Sequence, residues 1–493
     1  MKKILISLIA ILLINTSLFA QSPYVDYALK FSTNDYSGTA RFTGMSGAFG
    51  ALGGDFSAIS INPAGIGVYR NSEFAISTGF SNSVNSVDYL MTNNEDNQYN
   101  FNFENFSVVG SYNMENSDTR WVNLNFGVGF NRTNNFNDRI QMDGINSSSL
   151  MEIFIANANN YSDPEQLDGM YEYLFWDTYV IGYDTTNNVF FNEITDEIYN
   201  NPENFEIYQQ KIIETEGFIS DFNFTFGGNY ANKLYLGGAI GIKRLSLTEL
   251  ASHYELETAN LPIDYMKGFD FREYSKTTGT GFDVKLGVMV RPVDFLRIGT
   301  AVHFPTFYNI QQDFYNEVVG YFDEYEPEKI KSSTIPYEYQ LISPFRFVES
   351  VSFQIKKVAL INIDYEFANF SKIKLDDDEV YIPGNSINDD EKFISDNFSI
   401  KQKLRVGAEL RLGPLYFRGG GAYSTSPYEN KHGNIVSFSG GLGYRENKFF
   451  IDLAFVRSMY QYDYYTYDWP YGDQLAQIDN SFNNFILTAG VKF

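Results

Sequence analysis

The sequence predicts an all-β fold: a transmembrane antiparallel β-barrel of about fourteen strands with an N-terminal luminal hatch. Three observations predict it. Apolar and polar residues alternate with period two along many segments. The connections between those segments are alternately short and long. The chain ends in a strand whose last residue is an aromatic, Phe493.

The first element is a leader over residues 1–20. Lys2 and Lys3 form a basic start, Ile4 to Ile14 an apolar core, and Leu18, Phe19 and Ala20 lead to a cut before Gln21. This is the pattern of a secretory signal peptide, with an apolar core too short for a membrane span. No cysteine follows it, which excludes a lipoprotein anchor. The expected destination is the outer membrane of a Gram-negative bacterium, with the leader removed.

Composition narrows the partners. With 36 Lys+Arg against 61 Asp+Glu, the chain carries a net charge of −25 and is a poor match for nucleic acid, whose phosphates need a basic surface. The absence of cysteine rules out a disulfide framework and thiolate metal sites. The 37 Tyr and 45 Phe exceed what a soluble core needs, and no apolar run after the leader is long enough for a transmembrane helix. The partners expected are therefore outer-membrane lipids and a hydrophobic small molecule.

Residues 21–70 come next and read as a plug. Their small-residue run, "GMSGAFGALGG", is followed by "ISINPAGIGVYR". A barrel of this size leaves a lumen too wide for wall side chains to fill. Low charge and the apolar Phe49, Leu52, Phe56 and Ile59 argue against a solvated tail. Within the plug, Asn62, Pro63, Ala64 and Gly65 form a turn: Pro63 presets φ, and Asn62 bonds the backbone two residues on.

The barrel occupies 71–493. Its strands are expected at 73–83, 104–115, 121–133, 216–229, 234–247, 278–291, 295–307, 343–355, 358–371, 400–412, 415–427, 433–445, 448–460 and 483–493. In "WVNLNFGVGFN", Val122, Leu124, Phe126, Val128 and Phe130 face out, and Asn123, Asn125, Gly127 and Gly129 face in. Short turns such as 231–233, 292–294, 356–357, 413–414 and 445–447 alternate with long segments at 84–103, 134–215, 248–277, 308–342, 372–399 and 461–482. That asymmetry matches short periplasmic turns and long outer loops.

These residues resemble the FadL/TodX family of outer-membrane transporters for hydrophobic compounds. The resemblance rests on "GTARFTGMSGAFGALGGDFSAISINPAGIGVYR", "KLGVMVRPVDFLRIGTAVHFPTFY", "KLRVGAELRLGPLYFRGGGAYSTSP" and "GGLGYRENKFFIDLAFV". It implies a fourteen-stranded barrel with a hatch. It also implies passage of fatty acids or aromatic hydrocarbons from an outer groove, past the hatch and sideways into the membrane.

Such passage sets three expectations. An outer groove is expected at Phe154, Met170, Leu174, Phe175 and Trp176, which would otherwise form the core of their own loop. A ligand carboxylate is expected on lumen cations among Lys285, Arg297, Arg405, Arg411 and Arg418, unless these pair with Asp221, Glu366, Glu409 and Asp452. A lateral exit needs small residues or a kink, and Gly127 with Gly129 on the third strand are the candidates.

Other chemistry is thin. His253, His303 and His432 are dispersed, "DDDE" at 376–379 reads as a solvated loop, and "GMSGA" fails as a hydrolase elbow at Ala48. No enzyme, metal or cofactor is expected. The alternatives are a protein-interaction or secretion-shuttle barrel of the same fold, a haem-binding receptor held through one histidine, and a lipid hydrolase without a visible nucleophile–base pair.

Overall fold

The computed structural model describes residues 23–114, 119–201, 205–258, 265–376, 387–428, 433–467 and 475–493. The leader, His432 and residues 377–379 of the acidic run lie outside them.

Fourteen antiparallel strands close into a barrel. In order they are Glu73–Tyr89, Thr92–Asn113, Trp121–Asn135 continued by Asp138–Asn146, Ile207–Tyr230, Leu234–Glu257, Met266–Val293, Leu296–His303 continued by Phe307–Phe322, Ile335–Ile342 continued by Arg346–Ile355, Ala359–Asn369, Ile400–Leu412, Leu415–Ser424, Ile435–Arg445, Phe449–Tyr465 and Leu475–Lys492. Each pairs with the next. The first closes on the last from Glu73↔Lys492 to Asp88↔Gln477. No sheet edge then faces lipid along that seam.

Period two decides what each side chain meets. Phe222, Phe224 and Phe226 are exposed on the outer face, whereas Asp221, Asn223 and Thr225 between them are buried. Phe485, Leu487, Val491 and Phe493 likewise face out, and Ile486 and Thr488 face in. The outer belt is the surface a bilayer covers.

One end of the barrel carries tight turns. Ala231 and Asn232 turn with φ of 54° and 57°, and Gly413 with 63°. The opposite, loop end is built mostly of strand rather than loop, which corrects the expected segments 84–103, 248–277, 308–342 and 461–482. The first two strands run on to a two-residue turn at Leu90–Met91, φ 46° and 62°. The sixth has 28 residues, whereas about 9–11 cross a bilayer. In "TNNEDNQ", residues 92–98, both faces are polar, so the hydrophobic alternation disappears although the backbone pairing with 83–89 continues.

The segment 134–215 holds a small folded unit at the loop end. Helices Met151–Ala158, Glu172–Asp177 and Glu193–Asn200, with the hairpin Gly182–Asp184/Val189–Phe191, pack on the extended strands. Between the ninth and tenth strands, helix Ile387–Asn397 folds inward over the lumen.

Candidate functional site

The lumen is filled by the chain's own N-terminus. Helix Pro23–Ser32 puts Tyr24, Tyr27 and Phe31 among Tyr308, Tyr337, Tyr339, Phe370 and Phe398. The rings of Tyr24 and Tyr337 are 5.0 Å apart, and those of Phe31 and Phe136 6.1 Å. Below it, towards the turn end, come helix Ala40–Thr43 and the 3-10 turns Phe56–Ser60 and Pro63–Val68. The helix and both turns are capped by side chains: Thr39 accepts from Phe42 N, Asp55 from Ser57 N, and Asn62 from Ala64 N. Satisfying these free N–H groups locally lets such short turns persist away from water.

Asn62 does more than cap. Its amide also donates to the carbonyl of Gly50 at 2.7 Å, joining two turns of the plug, and to that of Val288 at 3.4 Å, tying plug to wall. Pro63, Ala64 and Gly65 follow as the first turn of Pro63–Val68, and all are buried. The wall receives them on a row of glycines that are cross-strand neighbours on the fourth, fifth and sixth strands: Gly227↔Gly237 and Gly237↔Gly287. A methyl at Gly237 would overlap the Pro63 carbonyl, and one at Gly287 the Asn62 amide. Sequence reasoning did not single out this row. Its signal was an inward glycine in each of three strands at one level.

Charges in the lumen are largely neutralised. Lys285 and Lys243 alternate with Asp221 and Asp283, with Lys285 2.6 Å from Asp221 and Lys243 3.3 Å from both carboxylates. Arg405 pairs with Glu366, Arg411 with Glu409 at 2.9 Å, and Arg418 with Glu409 at 2.8 Å and Asp452 at 2.7 Å. Arg297 makes no ion pair among the described residues; it donates to Leu52 O at 2.9 Å and lies over the Tyr235 ring. Lys401 and Lys403 also lack an ion pair there. Their amines reach Thr33 Oγ1 at 3.5 Å and Asn34 O at 3.4 Å, around a small cavity shared with Arg346 and Glu366. Sequence reasoning passed over these two lysines, although "KQKLRV" puts them on one face with Arg405.

The expected outer groove is a packed core. The Phe154 and Phe175 rings lie 4.2 Å apart, tilted by 37°, and pack on Phe269 and Phe271 of the sixth strand, with Leu174 buried beside them. Trp176 is half-buried at the edge against Tyr183 and Phe190, and the Met170 carbonyl accepts from Asn316. Burial of Glu172 in this unit raises its carboxyl above the ordinary range.

Gly127 and Gly129 face inward, but Phe56 and Ile66 of the plug fill the space they leave. The discontinuity in the wall lies higher on the same strand. Pairing between the second and third strands ends at Asn105↔Asn131. The third strand then shifts register between Arg132 and Asn134 and breaks at 136–137. Above that point the two strands are bridged by side chains. Arg132 Nε donates to Phe103 O at 3.4 Å, Arg139 meets Asp96 at 2.5 Å and Glu214 at 2.8 Å, and Asn94 donates to Asp143 at 2.9 Å. Exposed Tyr99, Phe101 and Phe103 flank the gap on the outer face, and Phe136 backs it from within against Phe31 of the plug.

The remaining histidines are occupied. His303 Nε2 lies 2.9 Å from Ile61 O, and His253 Nε2 2.9 Å from Glu255. Among the described residues, no group of three His, Asp or Glu is arranged to hold a metal ion.

Fold and lumen together define a class: a transmembrane β-barrel, apolar outside and plugged by its own N-terminus. No family model matches the sequence, and no curated protein matches it. Solved structures share the fold. A Pseudomonas aeruginosa FadL homologue is 12% identical over 94% of this chain and 100% of that one, with a TM-score of 0.54. The P. putida toluene transporter TodX is 11% identical over 93% and 99%, at 0.53. The Ralstonia pickettii toluene transporter TbuX is 14% identical over 93% and 99%, at 0.50.

Proposed function

We propose that this chain is a FadL/TodX-type passage of the outer membrane, passing small hydrophobic molecules by diffusion from the loop end into the lipid. The observation that carries this reading is the gap above Asn105–Asn131, lined outside by aromatics and backed inside by Phe31 and Phe136. In a bilayer, an interrupted ladder is tolerated only where other groups cover it, so its persistence here asks for a use. The plug supplies the gate, since withdrawal of helix Pro23–Ser32 uncovers the inner side of the gap. A carboxylate on the cargo would be held by Lys401 and Lys403, which make no ion pair among the described residues, with Arg297 nearer the turn end. Entry proceeds past Met170 and Trp176, the two half-buried members of the expected groove.

The test is uptake of a fluorescent long-chain fatty acid and of a neutral aromatic hydrocarbon into proteoliposomes. Rates above those of empty vesicles support the reading. Equality with empty vesicles for both cargoes overturns it and favours the protein-interaction alternative. Release of free fatty acid and lysophospholipid from the vesicles' own phospholipids would favour the hydrolase.

A further inference from the structure

The rim at the turn end carries charge opposite to that of the whole chain. The protein's net charge is −25. Yet the tight turns bring Lys233, Lys356, Lys357 and Lys448 to the surface at one end, with Arg291 and Arg411 at adjoining strand ends. The two arginines are paired, with Asp294 and Glu409. The four lysines are exposed and make no ion pair among the described residues.

These lysines stand beside lipid-facing apolar groups. Ile355 and Val358 bracket Lys356–Lys357 and both are exposed, Ile355 on the outer face, as is Phe449 next to Lys448. Phe295 of the neighbouring turn is joined to this hairpin by Gln354 N–H donating to its carbonyl at 2.7 Å. Apolar side chains below and ammonium groups above are the arrangement in which a lysine stem lies along acyl chains while its charge reaches the headgroup layer. An anionic leaflet attracts such groups over about a Debye length, roughly 8–10 Å in ordinary salt.

We propose that this rim is a docking collar for anionic phospholipids. Phosphates sit on Lys356 and Lys357 of one turn and on Lys233 and Lys448 of others, and the acyl chains run along Ile355 and Phe449. The collar holds the turn end in its leaflet independently of what the lumen carries.

The experiment uses the full-length barrel in neutral detergent, titrated with phosphatidylglycerol or phosphatidylcholine. Retained lipid is read by native mass spectrometry and the unfolding midpoint by thermal scan. The collar predicts a preference for phosphatidylglycerol on the order of tenfold, with a rise in midpoint that fades in 1 M salt, where the Debye length is about 3 Å. K233E/K356E/K357E/K448E should lose both while keeping the heat-modifiable mobility of a folded barrel. K276E, an exposed site towards the loop end, should lose neither. Should the quadruple variant fail to fold, K356Q/K357Q is read instead and should lose most of the preference. Equal retention of the two lipids, an unchanged preference in the turn variants, or the same midpoint rise with inorganic phosphate alone would overturn the proposal.

Discussion

Arg41 of the plug and Glu409 of the tenth strand meet at 3.0 Å, Nε to Oε2, and both are buried. Glu409 also accepts from Arg418 and Arg411, so it is the acid on which plug and wall share their charge.

The two partners are therefore not equivalent. Arg41→Met removes one plug–wall bond and leaves Glu409 with two arginines, so the barrel should fold with little change. The plug should loosen, and cells should become more sensitive to small antibiotics. Glu409→Gln strips a charge from three arginines at once, on the scale of about 3–5 kcal/mol for breaking a buried pair. Its folded band in heat-modifiable gels should convert at clearly lower temperature than that of Arg41→Met. Identical melting of the two would contradict the shared-acid picture.

At the glycine row, Gly237→Val puts a side chain where the Pro63 carbonyl lies. The wall ladder tolerates valine, so barrel assembly should proceed while the plug is displaced. Liposome swelling with a small sugar should rise well above wild type. Gly169→Val, in open space at the loop end, is the control. Swelling equal to the control would mean that the plug does not need this seat.

Loss of the Asn62 side chain removes a cap, a bond within the plug to Gly50 and one plug–wall bond to Val288. Asn62→Ala should cost the plug about 1–2 kcal/mol, and deletion of Asn62–Ala64 more. In both cases the strands and lipid-facing surface are untouched. Hydrophobic uptake should fall or small-solute leakage rise at unchanged heat-modifiable mobility. A deletion that folds with both transport readouts at wild-type levels would reduce these residues to a connector.

For the gap in the wall, the absence of native cysteine allows a clean test. Asp96→Cys with Arg139→Cys can be bridged by a short bis-maleimide, replacing the native ion pair with a covalent bar. Uptake should drop several-fold after bridging and stay normal in either single variant given the same reagent. Unimpaired uptake in the bridged protein would place the exit elsewhere without touching the proposal of transport itself.

Orientation is checked by proteolysis of intact cells. Exposed Tyr179 and Tyr199 of the loop-end unit should be cut by chymotrypsin. Trypsin should spare Lys356–Lys357 until the envelope is opened. Tryptic cleavage there in sealed cells would invert the topology.

The sequence by itself determined the wall. Period-two alternation is set by the pleat and read by lipid on one side and a polar lumen on the other, so Phe222, Phe224 and Phe226 could be assigned their face without coordinates. The same local rule showed that residues 21–70 were too apolar to be solvated, and that Asn62 would cap a turn. It could not see where strands continue outside the membrane. In 92–98 both faces are polar, and the pairing with 83–89 is a long-range fact. Tertiary structure alone decided which cations remain unpaired. Lys285, Arg405 and Arg418 looked the same in sequence as Lys401 and Lys403; Glu366 lies directly opposite Lys403 in the ladder, yet its carboxylate pairs diagonally with Arg405, while Asp221 takes Lys285, and Glu409 and Asp452 take Arg418. Tertiary structure likewise fills the space at Gly127 and Gly129 with the plug and puts the interruption of wall pairing above Asn131. A gap is a property of two strands and what packs behind them, and no single strand encodes it.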